Sequence, residues 1–100
     1  MIKRLVSVRP KGAKLLEARQ SMQEMNEWFN KKYPEIAMET YTERFGNYLT
    51  LHSISQFETL ADLEKHMSEV NSDEEFQALF MKGADLTVDD SLRVTLMESL

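Results

Sequence analysis

Apolar and polar residues alternate at the start of the chain. Ile2, Val6 and Val8 fall on alternate positions within residues 2–9, and a period of two predicts a β-strand with one buried face. The turn-forming residues 10–12, Pro-Lys-Gly, end this strand.

A long helical pattern follows. Apolar side chains recur at three- and four-residue spacing from Leu15 to Phe29, and acidic and amide side chains take the opposite side. The helix should end near Tyr33, because Pro34 disfavours helical geometry in the residue before it. Trp28 belongs to this pattern, and we interpret it as a packing residue at the core or its boundary.

Two further alternating runs predict a hairpin. Residues 35–45 read as the second strand and residues 48–57 as the third. Gly46-Asn47 lies between them, with the glycine first, as a type II′ turn requires.

Capping patterns precede the next two apolar stripes. Thr59 begins one predicted helix and Ser72 begins another, each with an acidic residue three positions later. Gly83 is expected to close the second helix. After a turn at residues 89–90, residues 91–99 alternate again and predict a last strand.

The predicted order is strand, helix, strand, strand, helix pair, strand. This order is typical of an α+β, ferredoxin-like βαββαβ fold, in which a four-stranded antiparallel sheet carries its helices on one face. The 100 residues are expected to form one domain over 1–100. The connection between the third and fourth strands is either two helices or one kinked helix.

The sheet face away from the helices is predicted to be unusually apolar. Alternation assigns to the helix side Ile2, Val6, Val8, Ile36, Met38, Leu49, Leu51, Leu92, Val94 and Leu96. The open side receives Leu5, Ser7, Glu39, Tyr41, Phe45, Tyr48, Thr50, His52, Ile54, Arg93, Thr95 and Met97. Such a mixture of aromatic and aliphatic groups is a large patch to leave in water, so another molecule is expected to cover it.

Charge and cysteine content narrow the class of partner. The formal net charge is −5, which argues against nucleic acid or an anionic membrane as partner, since both bind clustered lysine and arginine. The chain contains no cysteine, so disulfides, thiol catalysis and thiolate-bound metals are excluded and a cytoplasmic location is expected.

The open side also contains the candidate chemistry. His52 is a candidate general base or ligand contact, because histidine titrates near neutral pH; it could equally be a hydrogen-bonded interior or interface residue. Candidate lining residues of a ligand cavity on this side are Glu39, Tyr41, Tyr48, His52 and Arg93. Alternatively, Glu39 and Arg93 form an ion pair between two subunits.

The second histidine is interpreted as a surface residue. His66 follows Asp62 by four positions, but two ligands are too few for a stable metal site, and no metal is expected.

Residues 53–67, SISQFETLADLEKHM, and 73–80, DEEFQALF, resemble the second half of the dimeric α/β-barrel superfamily. That superfamily includes antibiotic-biosynthesis monooxygenases, heme-degrading monooxygenases and NIPSNAP-type proteins, and Phe57, His66, Phe76 and Phe80 carry the match. The resemblance implies a homodimer in which two sheets enclose a barrel. Heme-degrading members are expected to have Trp and Asn where this chain has Phe57 and Ser7.

The resulting expectation is a small homodimer that binds or acts on a small, partly aromatic molecule inside the barrel, without a cofactor. The alternatives are a cofactor-independent monooxygenase, an acid/base catalyst that uses His52 with Tyr41 or Glu39, and a non-catalytic dimerisation module.

Overall fold

A computed structural model describes residues 1–46 and 49–100 of the chain. The elements in chain order are β1 (Ile2–Val8), α1 (Leu15–Lys32), β2 (Glu39–Thr42), β3 (Leu51–Phe57), α2 (Leu60–Asn71), α3 (Glu74–Ala84) and β4 (Arg93–Glu98). Single turns of 3₁₀-helix, Gly12–Lys14 and Pro34–Ile36, precede and follow α1.

The four strands form one antiparallel sheet in the order β2-β3-β1-β4. The longest strands, β1 and β3, lie in the centre and the shorter β2 and β4 form the edges. This is the predicted ferredoxin-like α+β arrangement. The connection between β3 and β4 is two helices, α2 and α3.

The register confirms the predicted alternation in β1, β3 and β4. Val6 lies opposite Ser53 and Val94, and its neighbour Ser7 lies opposite His52 and Arg93. Residues directly opposite each other in antiparallel strands share a face. The valine row therefore faces the helices, and the serine row faces away from them.

The core lies between the helices and one end of the sheet. Its buried residues are Phe29, Ile36, Met38, Phe57, Leu63 and Val70. Trp28 packs against this cluster from its edge and donates a hydrogen bond from Nε1 to Glu75 Oε2, 3.1 Å away. The interpretation of Trp28 as a boundary packing residue is confirmed.

The second strand is shorter than predicted. Residues 34–36 form a 3₁₀ turn, and Ala37 has a left-handed backbone with φ 45°. Since neither conformation can pair in a sheet, β2 begins only at Glu39. The strand also ends early, at Thr42, so Phe45 lies in the following loop and is 91% exposed.

The third strand also begins later than predicted, at Leu51. Gly46 has the left-handed φ of 83° that the turn signal suggested, whereas Asn47 and Tyr48 lie outside the described residues. The predicted turn type and the predicted contribution of Tyr48 to the open face therefore stay predictions.

Two helix ends differ from the predicted ones. The N-cap of α3 is Asp73, not Ser72, and its carboxylate accepts hydrogen bonds from the backbone N–H groups of Glu75 and Phe76. Gly83 does not end α3, which continues to Ala84. It lies where α3 meets α1: a Cβ at position 83 would lie 2.7 Å from Ser21 Oγ.

Candidate functional site

The open face of the sheet presents a row of polar side chains across all four strands. In register, Tyr41 on β2 lies opposite His52 on β3, His52 lies opposite Ser7 on β1, and Ser7 lies opposite Arg93 on β4. Three of the predicted site residues are thus brought into one row, with Ser7 completing it.

His52 is hydrogen-bonded at both ring nitrogens. Nδ1 lies 2.7 Å from Ser7 Oγ, and Nε2 lies 2.6 Å from Glu43 Oε1. The side chain of His52 is 20% exposed and that of Glu43 is 27% exposed. The imidazole is therefore held in a fixed orientation between a hydroxyl and a carboxylate, partly shielded from water.

Glu43 is a contact that the sequence prediction missed. It follows Tyr41 by two positions, so the same alternation that selected Tyr41 would have placed Glu43 on the open side. The predicted second strand included position 43, so the sequence alone could have identified Glu43 as a neighbour of Tyr41 on the open side.

This group of residues suits proton transfer better than nucleophilic attack. Ser7 lies in a central strand that is paired on both sides, so the backbone N–H groups around it belong to the sheet ladders. Acyl transfer needs free donors at the developing oxyanion. A histidine held between Ser7 and Glu43 can still accept or deliver a proton.

The remaining predicted residues lie at the edges of this face. The Tyr41 hydroxyl donates a hydrogen bond to the Glu39 carboxylate, which raises the pKa of Tyr41 because it stabilises the neutral phenol. Glu39 and Arg93 lie on opposite edge strands, three strand spacings apart or roughly 14 Å. An ion pair between them would require a second subunit.

A cavity of about 360 Å³ lies on the opposite side of the sheet, beneath the helices. Val6 and Val8 form part of its floor, and Met22 and Met25 of α1 line it from above together with Phe80 of α3. A predominantly apolar cavity with few polar groups is the usual form of a small-molecule site.

Polar side chains also line this cavity, among them Arg4, Asn26, Ser53 and His66. Arg4 is half-buried, and burial lowers the pKa of its guanidinium. Among the described residues, no hydrogen bond or ion pair engages this guanidinium, and Asn26 Oδ1 is buried without a hydrogen-bond partner.

His66 does not lie on the helix surface as predicted. Its ring contacts three aromatic rings, with centroid distances of 4.8 Å to Tyr33, 5.2 Å to Phe57 and 5.9 Å to Phe29. Burial and the nearby positive charge of Arg4 lower the pKa of His66, while Glu35 and Glu69 oppose this shift. A neutral imidazole is therefore favoured here.

Arg4 and Asn26 were not predicted as site residues. Arg4 lies two positions before Val6 on the same strand face, so alternation alone places a guanidinium among core residues. A charged residue at a position that alternation assigns to the apolar face could have marked Arg4 as a candidate site residue.

Within residues 1–46 and 49–100, no three His, Asp or Glu side chains come close enough to hold a metal ion together. None of the helices described there has both the length and the apolar character needed to cross a membrane.

Solved structures share this fold over nearly the full chain. An antibiotic biosynthesis monooxygenase is 17% identical with a TM-score of 0.77, covering 100% of this chain and 99% of its own. A NIPSNAP domain protein from Burkholderia xenovorans is 11% identical with a TM-score of 0.82, covering 100% and 95%. A NIPSNAP family protein from Agrobacterium tumefaciens is 15% identical with a TM-score of 0.81, covering 99% and 92%.

The chain has the ferredoxin-like fold of these proteins. They belong to the groups that residues 53–80 resemble, so the structural part of that resemblance is confirmed. Identities of this size show the fold alone. No family model matches the sequence, and no curated protein matches it.

Proposed function

We propose that the protein binds a small, partly aromatic molecule in the cavity between its helices and its sheet. The observation that carries this proposal is the cavity itself. Its volume of about 360 Å³ falls in the range of roughly 300–1,000 Å³ typical of small-molecule sites. Aromatic side chains of Phe29, Phe76 and Phe80 contribute to its lining, and flat ligand rings pack well against such groups.

The proposal differs in position from the site expected from sequence. The cavity lies between the sheet and the chain's own helices, whereas the row around His52 lies on the other side of the same sheet. His52 and Ser53 are adjacent in β3 and point to opposite faces. Substitutions at these two positions can therefore distinguish binding in the cavity from binding on the open face.

The test uses a phenyl group added to either face. Ser53→Phe should reduce the affinity of the fluorescent neutral probe N-phenyl-1-naphthylamine more than tenfold, because the new ring occupies the cavity. His52→Phe is the matched control and should bind the probe as the unmodified protein does. Probe titrations, with circular dichroism as the check on folding, measure both. Probe binding that survives Ser53→Phe in a folded protein would contradict the proposal.

A second candidate function is acid/base catalysis at His52. The contacts of its ring with Ser7 and Glu43 favour it, since they fix the ring and offer a path for a proton. This reading predicts the reverse result, loss of binding in His52→Phe and retention in Ser53→Phe. A monooxygenase-like activity is a further alternative, supported by the name of one structural neighbour, and oxygen consumption with a bound phenol would reveal it.

We also propose that the protein is a cytoplasmic homodimer joined through its open sheet faces. The open face contains Leu5, Ile54 and Met97, and the last of these is 43% exposed in the single chain. Tyr41 on the same face is 50% exposed. A second copy would cover these groups and complete a barrel, and the absence of cysteine supports a reducing compartment.

A further inference from the structure

Within residues 1–46 and 49–100, Arg4 is the one lysine or arginine that lines the cavity. It extends from the middle of β1, where Ser55 on β3 and Leu96 on β4 flank it. Within the part of the chain that the structure describes, neither a carboxylate nor a carbonyl group bonds its guanidinium. A guanidinium that is partly shielded from water and left unpaired is unfavourable, and an arginine so placed commonly binds an anion.

The carboxylates that line the same cavity lie at its other end. Asp89 and Asp90 precede β4, and the backbone N–H of Val88 bonds to the carbonyl of Arg9, 2.8 Å away. Arg9 is five residues from Arg4 along the sheet, a distance of roughly 16 Å. The cavity is therefore positive at the Arg4 end and negative at the Asp89 end, which would orient a polar ligand.

Asn26 supplies a complementary polar group. Its buried Oδ1 has no hydrogen-bond partner within the described residues, and a buried acceptor left without a donor is destabilising. A ligand hydroxyl or amine could supply that donor.

We infer that the ligand is an anion, a small aromatic acid or a molecule with an equivalent acidic group, whose charge binds Arg4 while its apolar body lies along Val6 and Val8. A hydroxyl or amine on the ring would bind Asn26. This inference rests on the proposed function, since it names the chemical class that the same cavity selects.

The experiment compares two probes with one aromatic skeleton. 1-Anilinonaphthalene-8-sulfonate has an anionic group, and N-phenyl-1-naphthylamine lacks it. Arg4→Met should weaken binding of the anionic probe roughly 10- to 100-fold, as expected for a lost charged hydrogen bond. The affinity for the neutral probe should stay the same or increase. Lys3→Met is the matched control: it removes the same charge from the adjacent, exposed position on the open face.

Methionine matches the aliphatic stem of arginine and places no charge in the cavity, so Arg4→Met is expected to remain folded. Arg4→Lys keeps the charge without the bidentate geometry, so it should retain part of the preference for the anionic probe over the neutral one. Equal weakening of the anionic probe by Lys3→Met and Arg4→Met would show general charge attraction and overturn the inference.

The failures of the two proposals are distinguishable. If both probes bind, Ser53→Phe blocks them and Arg4→Met leaves their affinities unchanged, the cavity is a ligand site and the anion inference alone is wrong. If neither probe binds the unmodified protein, the proposed function fails and the inference fails with it.

Discussion

The surroundings of His66 make one side chain sensitive to pH. Its ring lies among Phe29, Tyr33 and Phe57, and the charged groups around it are Arg4 on β1, Glu35 beside α1 and Glu69 on α2. The net effect lowers the pKa of His66 from its model-compound value of 6.5. Protonation of this ring is therefore easier in the unfolded chain than in the folded one.

The sign of the pH effect follows from that difference. Above pH 6.5 the ring is neutral in both states, and its contribution to stability is fully present. As the pH falls below 6.5 towards the lowered folded pKa, the unfolded chain binds more protons than the folded one and the free energy of unfolding decreases. His66→Gln should remove this part of the pH dependence.

Urea unfolding at several pH values between about 5 and 8 measures the effect. The free energy of unfolding should fall more steeply on acidification for the unmodified protein than for His66→Gln. His52→Gln serves as the comparison histidine variant. Parallel curves for the unmodified protein and His66→Gln would show that burial does not perturb His66.

At the residue scale, the sequence correctly predicted which side chains share a face of the sheet. It did not predict which side chains are buried where a helix packs on that sheet. Alternation correctly put Ser7, His52 and Arg93 together, because register in a sheet follows from a period of two. The inward position of His66 depends on how α2 rotates over the sheet, and spacing within the helix does not fix that rotation. Its acidic neighbours in sequence favoured the wrong surface interpretation.

At the scale of elements, one side chain links α1 to the start of β2. Asn30 donates a hydrogen bond from Nδ2 to the carbonyl of Met38 and accepts one at Oδ1 from the N–H of Met38, both 2.9 Å long. These bonds satisfy the backbone where the chain leaves the left-handed Ala37 and enters the sheet. The connection is short, and this amide fixes its geometry.

Asn30→Ala should lower the free energy of unfolding by about 2 kcal/mol, because it leaves two partly buried backbone groups unsatisfied. Asn30→Asp retains the acceptor and loses the donor, so it is expected to be intermediate. Gln23→Ala, at an exposed position of α1, is the control and should change little. Equal urea midpoints for Asn30→Ala and Gln23→Ala would contradict the structural role.

The order and type of the elements were predictable, and their ends were less so. Periodicity over many residues identifies a helix such as α1, whereas an end depends on single backbone conformations. The sequence around residues 72–75 offers two adjacent capping side chains, and the structure uses Asp73, whose carboxylate also binds the Lys32 ammonium of α1. That second contact is tertiary and is not visible in a local pattern.

At the scale of the whole molecule, the sheet has two dissimilar faces, and a second copy of the chain is proposed to cover one of them. Light scattering after gel filtration should give twice the 11.7 kDa of one chain. Ile54→Lys, at the centre of the open face, should shift the protein to the monomer, since burying an unpaired charge opposes association. A single-chain mass for the unmodified protein at micromolar concentration would exclude the dimer.

A matched control lies on the other face. Leu96 is 50% exposed on the helix side of β4. Leu96→Lys therefore also replaces an aliphatic strand residue by lysine, but it lies outside the proposed interface. It should keep the mass of the unmodified protein. Dissociation of both variants would indicate general destabilisation instead of a specific interface.

Strands β1 and β3 serve both surfaces through neighbouring positions: Arg4 and Val6 face the cavity, while Leu5 and Ser7 face away from it. Inserting or deleting one residue within either strand would turn every later side chain over and exchange the two environments together. Homologous chains should therefore differ in length between β2 and β3 and between α3 and β4, and hardly ever inside β1 and β3.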